Sequence, residues 1–258
     1  MRIGQLLKRL MTSVGLLLVV LVAVAFFLTR GQQPLDAGTE LAGGKVRVAV
    51  DRFMAAYVIE LADGNVALID SGLDTSAEVI LNILRQQGKS REQVRAIFVT
   101  HGHGDHIGGA LAFPRAAVYV HNDDADLTEG RRVAASLLGE FRSPAPTGIT
   151  VTQGLSDGET VVVGGTAFEV FALPGHTLGS AAYLVHKVLF LGDSAAARSD
   201  GKIEPAPPVF SADTDANQAA LRRLAIKLSS RRSDVEALAF GHQGPLRSLE
   251  PLLEWAGQ

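Results

Sequence analysis

The feature that most constrains this chain is a run of four polar side chains within six residues, His101-Gly-His103-Gly-Asp105-His106. It directly follows an apolar, β-favouring segment, residues 95–100, which is typical of a buried strand. Imidazole nitrogens and carboxylate oxygens are ligands that zinc and similar divalent ions accept. Because the two glycines carry no side chain, the backbone can turn tightly enough for all four polar side chains to converge. The run therefore predicts a metal site at the end of a buried strand.

The composition limits which atoms can bind a metal and which kinds of molecule the protein can bind. The chain has 258 residues, no cysteine and a formal net charge of -3. Without cysteine there is no disulfide, no thiolate nucleophile and no sulfur ligand, so nitrogen and oxygen must hold any metal. A chain with this charge has no basic field for phosphate backbones, so nucleic acid is not an expected partner. The length suits one catalytic domain, and the sequence predicts no oligomeric state.

The N-terminus differs in composition from the rest. Three basic residues within the first nine positions precede an apolar run over residues 14–28 that is interrupted only by Gly15. This pattern predicts a membrane-targeting helix over residues 1–31, either a signal anchor or a signal peptide that is cleaved. The run is near the minimum length for spanning a bilayer, which favours the anchor. We therefore expect a membrane partner and an exported catalytic domain, periplasmic or at the cell surface in a bacterium. Cleavage would instead give a secreted protein.

The remaining chain divides into a linker and a folded body. Residues 32–44 are rich in Gly, Pro, Gln and Asp, which is typical of a linker, and residues 45–258 are predicted to form the catalytic domain. Two β-rich blocks are separated by helical segments. Strands are predicted over residues 46–50, 54–61, 65–70, 95–100, 117–120, 159–163, 166–172, 180–185, 188–191 and 235–240. Helices are predicted over residues 74–87, 123–142, 213–228 and 249–255.

Three downstream segments add ligands of the same kind, each directly after or between predicted strands. His176 lies in Pro-Gly-His-Thr-Leu-Gly-Ser, Asp193 in Leu-Gly-Asp, and His242 in Phe-Gly-His, while an earlier segment, Leu-Ile-Asp-Ser-Gly, contains Asp70. Together with the first run, and in this order, these segments resemble the motifs of the metallo-β-lactamase superfamily. The resemblance extends from about Val46 to the C-terminus. It implies an α/β (α+β) fold, the four-layer αβ/βα sandwich, with metals between the edges of two β-sheets.

The resemblance also implies which residues bind metal and which are catalytic. It implies two zinc ions, with manganese or iron as alternatives that suit the same ligands. One ion would be held by His101, His103 and His176, the other by Asp105, His106 and His242, with Asp193 bridging both. Asp105 and Asp70 are expected to be catalytic. We expect Asp70 to act without binding metal, by accepting a hydrogen bond that fixes a ligand's orientation.

The implied reaction is hydrolysis of a small ester, thioester or lactone by a metal-bridging hydroxide. An aspartate at position 193 resembles the glyoxalase II and lactonase branch, whereas true β-lactamases of the family generally lack it. Glyoxalase II carries a helical C-terminal extension that binds glutathione, and only residues 243–258 follow His242, which disfavours a glutathione thioester. Two alternatives stay open: a periplasmic β-lactamase, and a non-catalytic, membrane-anchored metal-binding module.

Some polar and aromatic residues outside these motifs are assigned no role in the site. The acidic run Asp123-Asp124-Ala-Asp126 lacks the spacing of a calcium loop and is interpreted as a helix cap. Five aromatic and large apolar residues are candidates for an apolar wall that contacts the substrate, but isolated residues of this kind are more often core than pocket, so none is assigned to the site. They are Phe53, Met54, Phe141, Tyr183 and Phe210.

Overall fold

The computed structural model describes residues 31–136 and 143–258. The body of the protein is one compact unit, Gln33–Gln258. Residues 1–30 of the predicted membrane-targeting helix lie outside the described residues. Within the described ranges, no helix combines the length and the apolar character that a membrane span needs.

The first sheet has seven strands, in the spatial order in which they follow along the chain. They are β1 (Glu40–Leu41), β2 (Val46–Asp51), β3 (Met54–Glu60), β4 (Val66–Ile69), β5 (Val94–Phe98), β6 (Ala117–His121) and β7 (Gln153–Leu155). β1 to β4 pair antiparallel, and β4 to β7 pair parallel. Because parallel strands end at the same edge of a sheet, the segments after β4, β5 and β6 meet there. Those segments contain Asp70, the run 101–106 and Asp124.

In the second sheet, too, several strands end at one edge, and the loops that follow them carry candidate ligands. It contains β8 (Thr160–Val163), β9 (Thr166–Ala172), β10 (Ala181–Val185), β11 (Val188–Phe190), β14 (Ala237–Ala239) and β15 (Leu246–Arg247). The order is β15-β14-β11-β10-β9-β8, with β11 and β14 parallel and the other pairs antiparallel. β9, β11 and β14 therefore end at one edge, where His176, Asp193 and His242 follow. A separate two-stranded sheet joins β12 (Ala195–Ala197) and β13 (Ile203–Pro205).

Three apolar clusters hold the layers together. The helices are α1 (Glu78–Gln86), α2 (Gly104–Ile107), α3 (Ala125–Thr128), α4 (Thr214–Ser229) and α5 (Glu250–Ala256). One cluster mixes side chains from both sheets, including Phe98 and Phe168, whose rings stack with centroids 4.1 Å apart. A second packs α1 against the first sheet, and a third packs α4 and α5 against the second sheet. The layers are therefore helix, sheet, sheet and helix, which confirms the predicted mixed α/β sandwich.

The position of the longest helix, α4, follows from a capping residue and an apolar stripe in its sequence. The Asp213 side chain accepts a hydrogen bond from Ala216 N at 2.9 Å, which caps the helix N-terminus. Leu221, Leu224 and Leu228 recur at helical spacing and are buried against the second sheet. Burial of this stripe is what stabilises the helix at that position.

Four short strands, β7, β12, β13 and β15, were not predicted, and two predicted segments differ from the structure. In the segment predicted to be a linker, Glu40 and Leu41 form β1 and pair with β2, because Leu41 gains a buried position in the core between the sheets. The predicted helix over residues 123–142 is reduced to the four-residue α3, followed by irregular backbone to residue 136. Gly130 lies just beyond α3 with a φ of 75°, a left-handed conformation that ends a helix. Residues 137–142 lie outside the described residues.

Candidate metal centre

The structure brings all seven predicted ligands together between the two sheet edges. Their ligand atoms form three overlapping groups in which all atoms lie within 4.8 Å of one another. The groups are His101, His103 and His176; His101, His106 and Asp193; and Asp105, His106 and His242. Residues far apart in the sequence therefore form one cluster with two ends, a histidine end around His176 and a mixed end around His242.

At the histidine end, three imidazole nitrogens face one point. His101 Nε2 lies 2.9 Å from His103 Nδ1 and 3.2 Å from His176 Nε2, and the latter two atoms are 3.0 Å apart. Nitrogens bound to one tetrahedral zinc at the usual bond length would be about 3.4 Å apart. The observed spacing is therefore close to that of a three-histidine metal site.

Electrostatics keeps these three imidazoles neutral. Burial and then the neighbouring histidines lower the pKa of His101 well below its usual value, and the same causes lower the pKa of His103. Burial also lowers the pKa of His176 to about 4, although Asp193 acts in the opposite direction. At neutral pH each ring therefore carries a lone pair, which is the form of histidine that binds metal.

Asp193 lies between the two ends of the cluster. Its Oδ2 is 3.0 Å from His242 Nε2 and 3.6 Å from His176 Nε2, while its Oδ1 is 3.4 Å from His106 Nε2. Burial raises the pKa of this carboxyl, but His242 and His106 outweigh burial and hold the pKa well below its usual value. A carboxylate in this place reaches both groups of histidines.

Two buried atoms of this cluster lack hydrogen bonds. His106 Nε2 and Asp193 Oδ1 have no hydrogen-bond partner among the described residues. Leaving a buried polar atom unsatisfied costs about 1–3 kcal/mol. A cation between the two atoms would satisfy both, so the donor set fits a metal ion.

Gly241 makes this approach possible. A Cβ atom at position 241 would lie 2.1 Å from Asp193 Oδ1 and 2.8 Å from His106 Cε1. Any side chain there would push the carboxylate or the imidazole aside. The glycine before His242 is therefore a spatial requirement of the cluster.

The mixed end is more open to solvent. His242 Nε2 lies 3.5 Å from Asp105 Oδ2, and each of these two side chains is 26% exposed. His242 Nδ1 donates to the Phe53 carbonyl oxygen at 2.9 Å, which turns Nε2 toward the cluster. Burial opposes protonation of His242, but Asp193 outweighs it and raises the pKa to about 9. This end therefore combines two carboxylates with partly accessible ligand atoms.

Asp70 is buried between Thr100 and His106. Its carboxylate accepts hydrogen bonds from Thr100 N and Thr100 Oγ1, both at 2.8 Å, and lies 2.8 Å from His106 Nδ1. Burial opposes protonation of His106, but Asp193 and Asp70 outweigh burial and raise its pKa well above the usual value. Because Asp70 takes Nδ1, His106 must present Nε2 to the cluster.

Asp124 is a buried carboxylate of the site whose contacts the sequence interpretation missed. It is fully buried, and its Oδ2 accepts from Gly102 N at 2.9 Å and from Thr177 Oγ1 at 2.7 Å. Its Oδ1 accepts from Gly179 N at 3.0 Å. The carboxylate thereby ties the loop of His101 to the loop of His176. Its place directly after a strand parallel to β5 was the available signal.

The sequence comparison agrees with this geometry. The family model described as "Metallo-beta-lactamase superfamily" matches residues 51–242, which include every residue of the cluster. The chain belongs to the metallo-β-lactamase superfamily. Among curated relatives, a protein named hydroxyacylglutathione hydrolase from Citrobacter koseri is 30% identical over 151 residues, covering 57% of this chain and 49% of the relative. One of the same name from Vibrio campbellii is 31% identical over 152 residues, covering 59% and 51%. The chain thus spans about half the length of these relatives.

Solved structures of the superfamily share the fold. BJP-1, a subclass B3 metallo-β-lactamase of Bradyrhizobium japonicum, superposes with a TM-score of 0.62 and 18% sequence identity. The alignment covers 89% of this chain and 92% of that protein. The metallo-β-lactamase sandwich therefore accounts for almost all of the body, and the similarity at this identity concerns the fold alone.

Proposed function

We propose that this chain is a dinuclear metal-dependent hydrolase of a small ester, thioester or lactone. The observation that carries the proposal is the joining of a three-histidine group to a mixed group through the Asp193 carboxylate. In this proposal His101, His103 and His176 hold one ion, Asp105, His106 and His242 hold the other, and Asp193 contacts both. Nitrogen and oxygen ligands of this kind favour zinc, with manganese and iron as alternatives.

The bound ions would lower the pKa of a water molecule and stabilise negative charge on the carbonyl oxygen of the substrate. In the hydrolysis, the water oxygen forms a bond to the carbonyl carbon and the bond from that carbon to the leaving oxygen or sulfur breaks. The proton that the water loses must reach the leaving atom. Asp105 is a partly exposed carboxylate at the open end of the cluster, so we assign it this proton transfer.

The other residues act by positioning. Asp70 orients His106, and Asp124 joins the two histidine loops, so neither needs to contact the substrate. The relatives named hydroxyacylglutathione hydrolase support thioester or ester chemistry. The membrane-targeting role of residues 1–31 and the export of the catalytic domain are parts of the proposal that the sequence pattern alone supports.

The test is turnover by the full-length protein, purified in mild detergent, of a panel of simple esters, thioesters, lactones and nitrocefin. Metal content is measured on the same samples. We expect about two metal ions per chain and turnover of one ester, thioester or lactone class. Asp105→Ala should abolish turnover, whereas Asp200→Ala, which changes an exposed aspartate on a loop without candidate ligands, should not.

Each contrary outcome has a distinct meaning. Metal binding without turnover of any substrate would favour the metal-binding module. Turnover of nitrocefin alone would favour the β-lactamase. A wild-type protein that binds no metal would refute the ligand assignment itself.

A further inference from the structure

Large apolar side chains that face solvent are not spread evenly over this protein. Among the described residues, those that are exposed are Phe53, Leu111, Val162, Leu178, Phe210 and Ile226. Three of them, Phe53, Leu178 and Phe210, lie on segments that contact or contain the candidate ligands. Of the five residues considered for an apolar substrate wall or the core, Met54 and Tyr183 are buried, Phe53 and Phe210 are exposed, and Phe141 lies outside the described residues.

Phe53 lies beside the open end of the cluster. It is in the turn between β2 and β3, its side chain is 57% exposed, and its carbonyl oxygen accepts the hydrogen bond from His242 Nδ1. Its ring stacks on the His242 ring, with centroids 5.7 Å apart and an interplanar angle of 25°. Phe53 thus places an exposed apolar ring directly beside His242, a candidate metal ligand.

Leu178 and Phe210 lie on the segments around His176. Leu178 is exposed, although Thr177 and Gly179 on either side of it are buried and bonded to Asp124. Phe210 precedes Ser211, whose Oγ lies 3.4 Å from His176 Nδ1. Because the two neighbours of Leu178 are buried, its exposed side chain lies on the outer surface of the loop that contains His176.

The three exposed side chains differ from the polar cluster beside them. One basic side chain lies near the histidine end, and it faces a carboxylate, since Arg132 Nη2 is 3.7 Å from Asp124 Oδ1. A glutathione thioester or a β-lactam brings at least one carboxylate, whereas the side chains of Phe53, Leu178 and Phe210 offer only apolar surface.

We propose that Phe53, Leu178 and Phe210 form an apolar rim that binds an uncharged, apolar acyl group of the substrate. The inference rests on the proposed hydrolase function and narrows it to esters or lactones with an extended apolar acyl part. Each methylene group that the rim removes from water raises kcat/KM by up to about fourfold. The rim therefore determines specificity without taking part in the chemistry.

The experiment measures kcat/KM of the full-length, metal-loaded protein for p-nitrophenyl acetate, butyrate, hexanoate and octanoate. A hexanoate analogue with a terminal carboxylate tests the charge preference. The rim variants are Phe53→Ala, Leu178→Ala and Phe210→Ala, and Phe53→Leu is the conservative variant. Val162→Ala and Ile226→Ala are matched controls, since both residues are exposed and apolar but lie in β8 and α4, which carry no candidate ligand.

We expect the octanoate to exceed the acetate by at least about tenfold in the wild type and in both controls. In the rim variants this ratio falls to about threefold or less, Phe53→Leu restores most of it, and metal content is unchanged. The carboxylate analogue is hydrolysed at least about tenfold less efficiently than hexanoate. A flat chain-length dependence in the wild type, or an equal loss of the ratio in the controls, would overturn the rim.

A binding measurement separates this inference from the proposed hydrolase function. The uncharged fluorescent probe N-phenyl-1-naphthylamine should bind the wild type and both controls, and bind Phe53→Ala and Phe210→Ala at least about fivefold more weakly. If this difference is found but no ester is hydrolysed, the rim stands and the hydrolase proposal fails. If esters are hydrolysed but the probe and the chain length make no difference, the rim alone is refuted.

Discussion

Replacing Asp124 with asparagine tests whether this buried carboxylate holds the two histidine loops in place. Its Oδ2 accepts two hydrogen bonds and its Oδ1 accepts one, all between 2.7 and 3.0 Å. Asparagine has one acceptor oxygen, so in either amide orientation an NH2 group faces at least one backbone N–H. The loss of a charge-assisted hydrogen bond contributes about 1.5–3 kcal/mol, and the stranded buried donor adds to it. We expect Asp124→Asn to lower the free energy of unfolding by about 3 kcal/mol.

The loop displacement should also weaken metal binding at the histidine end. Residues that hold ligands in place typically change metal affinity by about 10–100-fold when mutated, so we expect a loss of this size for one of the two ions. The assays are urea unfolding of the metal-free protein and competition with a chromophoric chelator. Asp123→Asn is the matched control, because Asp123 is the exposed neighbour of Asp124. If Asp124→Asn differs from this control by less than about 0.5 kcal/mol and binds both ions equally well, the reasoning is wrong.

Four further outcomes follow from the cluster. Asp70→Asn should lower metal affinity about 10–100-fold in chelator competition, because it removes the charge that orients His106; an affinity equal to that of the wild type would contradict this role. Gly241→Ala should reduce the bound metal, measured by elemental analysis, since the added Cβ would lie 2.1 Å from Asp193 Oδ1. Removing the metal with a chelator should lower the thermal unfolding midpoint, because an ion present at a thousandfold its dissociation constant contributes about 4 kcal/mol, and added zinc should restore the midpoint. The metal-free protein should lose stability as the pH rises from about 6.5 to about 9, because the raised pKa of His242 means that its protonated form stabilises the fold; unfolding midpoints at the two pH values check the sign.

Much of the site was predictable because ligands follow strands. The run 101–106 comes directly after a strand with a continuous apolar pattern, and Asp193 and His242 come after two more. Strand ends in a sandwich of this kind meet at the sheet edges, so residues at those positions become neighbours whatever their separation in the chain. The resemblance to the family motifs then implied which of these residues would share a metal ion. The structure brings all seven into one cluster.

The place of Asp124 after β6 was a signal, but its hydrogen-bond partners were not predictable from local patterns. Beside Asp123 and Asp126 it has the appearance of a helix cap, and acidic residues are common at such places. Its three donors lie on residues 102, 177 and 179, which become its neighbours only when the two sheets pack together. β1 was not predictable for the same reason. Glu40 and Leu41 pair with β2 because Leu41 packs into the core between the sheets, and local composition does not reveal that contact.

The charges of the cluster also bear on the substrate. Divalent ions bound in the cluster would be its largest local charges, and the neighbouring carboxylates of Asp70, Asp105 and Asp193 would offset part of them. These ions would stabilise the negative charge that develops on the carbonyl oxygen of the substrate, which requires no charge elsewhere on the substrate. Because Phe53, Leu178 and Phe210 offer it only apolar surface, an uncharged acyl group is the partner that gains most from binding there.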